Sequence, residues 1–525
     1  MYHFTISWVD VIIVICYVAF ILWWGLRNGK SGDSQSYFLA GRSMPWWVVG
    51  LSLFAASISS TTLIGQSGDS YATGLAVFNY NLTGVFVMVF FAIFLLPLYI
   101  KSHIFTIPEF LERRYDSRSR YYFSGICIIG NIFLDAASTL YAAALLIKII
   151  IPDADLQVII IIFALVCASY TIPGGLSSAI NTELIQAIIL ILGSIMLTVL
   201  CLEKGGDYFY NLYASNDMLV KLIRPLDDSS TPWLGLIVGM PVLGVYFWAN
   251  NQTLVQRVLS SKTIDEGRKG IFLTGFLTMI TLFTIALPGL IARNLFPGLE
   301  KPDMVYPNMI MNLVPTGLIG VMLAAMLSAL TSTLSAILNS TSTLFTMDFY
   351  AKARKDVSSK QLVIVGKIVS CTIIVIAALW APQIGKFGSL LKYYQEILSY
   401  ISPPIVAAFL LGVFSRRVNG TGAFIGLMSG LVVAVIMLFF KTEIFGNLHF
   451  LLIVPFLFAV SLAITYFSSL CFAKPHGDKL KGTTFSLHDF RQEVALAYSK
   501  PWYNNYFNLA LLLIVCCFVV LLVFA

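Results

Sequence analysis

Charge is what this chain has least of: Asp, Glu, Lys and Arg make up 11% of its 525 residues. A soluble chain of this length would form several domains with charged surfaces, and so little charge excludes that organisation. There is no phosphate-binding loop, no dinucleotide fingerprint and no His-Glu-x-x-His pair. Nothing therefore supports an ATPase or a membrane enzyme, and the protein is expected not to be an enzyme. The eight cysteines fall inside or at the ends of apolar runs and never in C-x-x-C spacing, which suggests neither a metal nor a disulfide. The N-terminus MYHFTISWVD lacks a basic leader region, and its first apolar run lacks a small-residue cleavage site, so that run is expected to remain as a span. Long polar loops are also missing; the longest, about 473–504, is mixed in charge and is expected to be an amphipathic connector.

What is present is apolar sequence. Hydrophobic residues make up 58% of the chain, arranged in stretches long enough to cross a bilayer. The stretches run roughly 8–26, 44–64, 80–100, 121–150, 156–172, 184–202, 233–250, 271–295, 315–346, 362–381, 396–415, 421–440, 449–472 and 505–524, which predicts 14 spans. Loop Lys and Arg set the orientation. With the N-terminus outside, the inner loops collect Arg27, Lys30, Arg42, Lys101, Arg113, Arg114, Arg118, Arg120, Arg268, Lys352, Arg354 and Lys355. The outer side holds a sparser set that includes Lys148, Lys204, Arg224 and Arg293. The net charge of +7 is thus accounted for by membrane topology, and no nucleic-acid partner is implied.

The polar residues inside the spans carry the functional information. Residues 324–350 have helix length and apolar flanks yet are threaded with hydroxyls. Ala329, Ser332 and Thr333 share one helix face, which offers a backbone carbonyl and two hydroxyls to a dehydrated hard cation. Ser and Thr in membrane helices also serve as packing residues bonded to their own backbone. A second segment tells against that reading: GLSLFAASISSTTLIGQSGDSYATG is too rich in Ala, Ser, Thr and Gly for a continuous mid-membrane helix. A broken helix exposes carbonyls, tolerated only where they line a cavity or bind an ion. The seventh span has a similar patch, YFWANNQTLVQR, with Asn250, Asn251 and Gln252 in series. Paired interruptions at corresponding positions of two halves point to an inverted-repeat transporter with a midplane site. Charges within spans are functional candidates. Asp135 lies in mid-span, and a functional role is expected of it. Glu183 opens the sixth span, where a carboxylate also suits a helix N-terminus. Glu396 sits near a span end. Lys367 is expected to snorkel.

These segments resemble the sodium/solute symporter family, and within it the sodium–sugar cotransporter branch. The matching stretches are YFLAGRSMPWWVVGLSLFAASIS, IFTIPEFLERRY, YTIPGGLSSAINTELIQ, NNQTLVQRVLSSK, LNSTSTLFTMDFY and SPPIVAAFLLGVF, in family order from about residue 37 to 415. The resemblance implies an all-α integral membrane protein of about 14 helices with the leucine-transporter-like five-plus-five inverted repeat, its first and sixth core helices broken. It divides the chain into an extra N-terminal helix and loop (1–43), a first repeat (44–203), an extracellular loop (204–231), a second repeat (232–415) and three C-terminal accessory helices (416–525).

By the same resemblance, Ala55, Ile58, Ala329, Ser332 and Thr333 hold the co-transported sodium ion. Glu183 and Ser335 stand where some relatives hold a second sodium, with Glu in place of Asp and with Ala336 replacing a hydroxyl. Sugar-carrying members hold their sugar with a Glu, a Lys, an Asn and a Gln, under a Tyr beside a Trp. This chain has Asn81, Thr278, Asp135 and Gln395 there, and Phe247 beside Trp248. Ser59, Thr62 and Asn251 complete the implied substrate set. Sialic-acid members use an Arg that is absent here, and Asp135 would repel an acid. The implied function is sodium-coupled import of a neutral monosaccharide or cyclitol by alternating access. Rival readings are import of an organic acid such as sialic acid or a sugar acid, and a membrane sensor on a transporter scaffold, for which no output domain is visible. A multi-pass monomer in the plasma membrane, or the inner membrane of a bacterium, is expected.

Overall fold

The computed structural model describes residues 7–525 except 30–32, 60, 152, 229, 300, 355, 387–389 and 447. Lys30 and Lys355, assigned above to the inner loops, lie outside the described residues. The described chain is helical, and the spans follow the apolar runs. Helix α1 covers Trp8–Asn28, opened by a capping box in which the Ser7 and Asp10 side chains bond each other's backbone N–H. The second span is broken, as its composition predicts: α2 (Trp46–Ser57) and α3 (Thr62–Thr73) meet at 65°. Next come α4 (Leu75–Lys101), the short inner helix α5 (Ile107–Arg114) and α6 (Ser117–Lys148).

Helix α7 spans Leu156–Ala214, 59 residues, which at 1.5 Å per residue is about three bilayer crossings long if straight. It is not straight. Gly175 has φ 60° and ψ −153°, and a Cβ there would lie 2.6 Å from the Tyr37 backbone oxygen and ring. The Tyr170 hydroxyl is 3.4 Å from the Thr331 carbonyl oxygen, while Gln186 Nε2 is 2.8 Å from the Thr331 hydroxyl. Residues this far apart along one straight helix could not both reach Thr331. The chain therefore turns back at Gly175, and the Pro-Gly-Gly run marks the turn between the fifth and sixth spans.

The second half begins with α8 (Trp233–Asn250), broken from α9 (Gln252–Leu259) at Asn251, whose extended backbone and side chain cap α9. There follow α10 (Ile264–Leu295), α11 (Val305–Leu313), α12 (Ile319–Ala353), α13 (Ser359–Ile384), α14 (Tyr394–Phe414), α15 (Gly420–Phe445), α16 (Phe450–Leu470), α17 (Leu487–Tyr498) and α18 (Tyr506–Val523). Twelve of these helices are long and apolar enough to cross a membrane, and the broken pair of α2 and α3 makes thirteen. Counting α7 as two passes brings the total to the fourteen expected.

Helix α12 is the hub. It is the most buried of the spans and packs most extensively on α7. Along its inner half the hydroxyls of Ser340, Thr341, Ser342 and Thr343 do bond their own backbone, so the packing reading holds there. Asp135, Phe247 and Trp248 each lie in a π-helical turn, Asn131–Ala136 and Tyr246–Asn250, an irregularity that rotates side chains toward an interior and is frequent at functional sites.

Candidate functional site

The end of α2 leaves its last carbonyls without helical partners. Ile58, with φ −85° and ψ 89°, turns the chain away. Two carbonyls freed here meet α12: Ser332 Oγ is 3.1 Å from Ala55 O and 2.9 Å from Ala329 O, and Thr333 Oγ1 is 3.4 Å from Ile58 O. All five residues are buried. The structure thus brings together Ala55, Ile58, Ala329, Ser332 and Thr333, three carbonyls and two hydroxyls with no charged side chain among them. Neutral oxygens on two rigid helix segments suit a small hard cation that has shed its water.

Glu183 and Ser335 are not joined by a hydrogen bond among the described residues. The Glu183 carboxylate is fully buried and engaged by Arg257, 2.6 Å away, and by the Ser52 hydroxyl. Ser335 instead accepts from Thr171 at 2.9 Å. A guanidinium from α9 already neutralises the acid that the resemblance implies for a second sodium. Nothing within α9 or α7 taken singly announces that pairing.

Ile58 and Thr333 also line a cavity that is partly open to solvent. Every implied substrate residue lines it: Ser59, Thr62, Asn81, Asp135, Phe247, Trp248, Asn251 and Gln395. Asp135 faces the phenol of Tyr394. Asn251 Oδ1 is used to cap α9, accepting from the Thr253 N–H at 2.8 Å. The rings of Phe247 and Trp248 meet edge to face, 5.1 Å apart at 87°, forming an apolar wall. Gly84 makes room for it, since a Cβ there would sit 2.5 Å from Trp248 Nε1. Among the described lining residues Asp135 is the only acid, and no Lys or Arg joins it. Sequence reading did not assign Gln66, Tyr80 and Tyr394 to this wall. Gln66 was overlooked because it follows a broken helix, where no periodicity assigns a face.

Two polar clusters support the site from the inner side. Gln252, the first residue of α9, accepts from the Ile107 N–H at 2.8 Å and so clamps the start of α5. Asp348, deep in the inner end of α12, receives Arg120 Nη2 and Ser124 Oγ, each at 2.5 Å, and Thr106 Oγ1 at 2.6 Å. Arg120 also binds Glu112 at 2.6 Å, and Glu112 binds Lys352 at 2.6 Å. These bonds explain the IFTIPEFLERRY and LNSTSTLFTMDFY stretches as two sides of one inner junction. Asp348 escapes a sequence search for intramembrane charges because it falls beyond the apolar run.

Comparison with known proteins shows the family. The sodium:solute symporter family profile matches residues 37–430. The zebrafish (Danio rerio) sodium/glucose cotransporter 4 is 32% identical, the alignment covering 95% of this chain and 84% of that protein. The mouse (Mus musculus) sodium/myo-inositol cotransporter is 33% identical over 90% of this chain and 74% of its own. Among solved structures, a substrate-bound, outward-open Na+-coupled sialic acid symporter superposes with a TM-score of 0.80 at 22% identity, covering 89% of this chain and 99% of that one. That likeness shows the fold, the leucine-transporter-like inverted repeat with broken first and sixth core helices. The chain belongs to the sodium:solute symporter family, multi-pass membrane proteins that move a solute together with sodium.

Proposed function

We propose that this protein imports a neutral monosaccharide or cyclitol with sodium by alternating access. The observation that carries the substrate class is the cavity lining: one carboxylate, Asp135, among amides, hydroxyls and an aromatic wall, and no described cationic side chain. A carboxylate can accept from two neighbouring hydroxyls of a ring, and the Phe247–Trp248 wall fits an apolar ring face. The glucose and myo-inositol relatives support the same class. The sialic acid symporter keeps the acid reading in view, but an anion here would face Asp135 with no described cation to offset it.

In this reading the first repeat is 44–203 and the second 232–415. Sodium binds the carbonyls of Ala55, Ile58 and Ala329 and the hydroxyls of Ser332 and Thr333. This holds the end of α2 against α12 and favours the outward-facing state. The cavity is lined by the outer starts of α4 and α14 and by the end of α8 that runs into its break. Substrate then enters beside Asp135, Asn81 and Gln395, and Phe247 closes over it. The bundle rocks, and sodium leaves to the cytoplasm. Each sodium contributes its concentration gradient plus about 2.3 kcal/mol per 100 mV of membrane potential. The engagement of Glu183 by Arg257 supports one sodium per cycle.

The test is uptake into proteoliposomes of labelled hexoses, inositols and sialic acid, with an inward sodium gradient and with potassium in its place. Sodium-dependent accumulation of a neutral ring is expected. Accumulation of the acid alone would overturn the substrate class and leave sodium coupling standing.

A further inference from the structure

Gln66 ends the irregular segment that opens α3, is 5% exposed and lines the cavity. Its surroundings set which way its amide points. The Thr281 hydroxyl donates to the Thr278 carbonyl at 2.6 Å, because a carbonyl only accepts. The Thr281 oxygen is therefore left to accept, and it does so from Asn81 Nδ2 at 3.0 Å. The same Nδ2 donates to Gln66 Oε1 at 2.9 Å. The relay Thr278–Thr281–Asn81–Gln66 thus has a direction, and both amide orientations follow from it. What remains at the wall is a donor, Gln66 Nε2, and an acceptor, Asn81 Oδ1. Gln66 Nε2 is buried without a partner, and so is Thr278 Oγ1 on a residue 3% exposed that lines the same cavity. Buried donors left unmade are costly, most of all in a membrane interior. An apolar side chain of equal length would pack here without that cost.

We propose that Gln66 is a specificity-determining residue of the substrate cavity: held by Asn81, its Nε2 donates to one hydroxyl oxygen of a neutral polyhydroxylated ring, whose hydroxyl proton is accepted by Asn81 Oδ1. This deepens the reading given above and rests on it. The chemistry selects the ligand. An un-ionised hydroxyl offers the acceptor and the donor that the pair requires. A carboxylate would meet the Asn81 oxygen, and an ammonium group would meet the Gln66 N–H. The subsite is separate from the contact at Asp135, so the ring is read at two edges. It also ties substrate to sodium, since Gln66 lies on the broken segment just beyond Ile58.

The experiment measures half-saturation concentrations in proteoliposome uptake driven by an inward sodium gradient for the preferred ring and each of its mono-deoxy analogues, in wild type, Gln66→Leu and Gln66→Met. In wild type, one deoxy position is expected to cost about tenfold or more through the lost hydrogen bond. In the variants the parent ring weakens by about tenfold, and the penalty at that single position shrinks while the others persist. Reduction of one penalty alone is an effect that a purely structural role would not produce. The inference is overturned if either variant keeps every deoxy penalty, or loses affinity equally for all analogues. Gln66→Met keeps length and volume, so it serves if Gln66→Leu does not fold. Absence of neutral-ring uptake in wild type would instead overturn the substrate reading itself.

Discussion

Arg257 and Glu183 form an ion pair from which water is excluded: Nη2 lies 2.6 Å from Oε1 and both side chains are 0% exposed. The pair joins α9, the inner half of the second broken helix, to the returning pass of α7, and Ser52 ties in α2. Three elements of the inner half thus meet at one carboxylate, below the carbonyls of the proposed sodium site. Such a pair adds little net stability compared with apolar packing, but losing one partner strands a buried charge.

Arg257→Met is therefore expected to destabilise the protein by about 3–5 kcal/mol, and Arg257→Met with Glu183→Leu to recover most of the loss. Thermal melting in detergent, followed by size-exclusion chromatography, reads both. Equal melting of wild type and the single variant would show that the pair holds nothing together.

Ser332 and Thr333 supply the side-chain oxygens of the proposed sodium site. Ser332→Ala or Thr333→Ala is expected to raise the sodium half-saturation concentration of uptake by about tenfold. The double substitution should abolish sodium dependence. Intact sodium-driven uptake in the double variant would remove the site assignment.

Asp135 is the only acid lining the cavity among the described residues. Asp135→Asn is expected to abolish accumulation of a neutral ring, because the amide no longer accepts at both oxygens. If uptake survives unchanged, Asp135 is structural and the ring is held elsewhere.

Glu112 gives a pH-dependent prediction. Burial pushes its carboxyl upward, but the hydrogen bonds and charges of Lys352 and Arg120 outweigh this and hold it below the ordinary value of 4.5. A depressed carboxylate contributes stability above its unfolded pKa and loses it as the pH falls through the folded one. Glu112→Gln should thus melt below wild type at neutral pH, with the gap closing progressively below pH 4.5. A gap independent of pH would mean that the ion pairs with Lys352 and Arg120 contribute nothing.

Much of the proposed sodium site was legible before folding. Ala329, Ser332 and Thr333 face one way because helix geometry is periodic, and the Ala/Ser/Thr/Gly run of α2–α3 is a poor helix by composition. The break at Asn251 was legible for the same local reason. The pairing of Glu183 was not, because its partner Arg257 lies 74 residues away on a helix whose own pattern does not reveal it. Asp348 and Arg120 are 228 residues apart, and Gln66 and Asn81 meet only once the chain has turned at Gly74 between α3 and α4. The turn at Gly175 lay between: Pro-Gly-Gly announces a break, but only the convergence of Tyr170 and Gln186 on Thr331 shows the chain returning.

The sequence by itself determined the class, the spans and where the helices break, because run length, hydropathy and helix-breaking residues act within a few neighbouring positions. Tertiary structure alone decided which buried polar groups satisfy one another. In a bilayer each such group must find a partner inside the protein, and packing brings Arg257 to Glu183 while leaving Nε2 of Gln66 at the cavity wall without one.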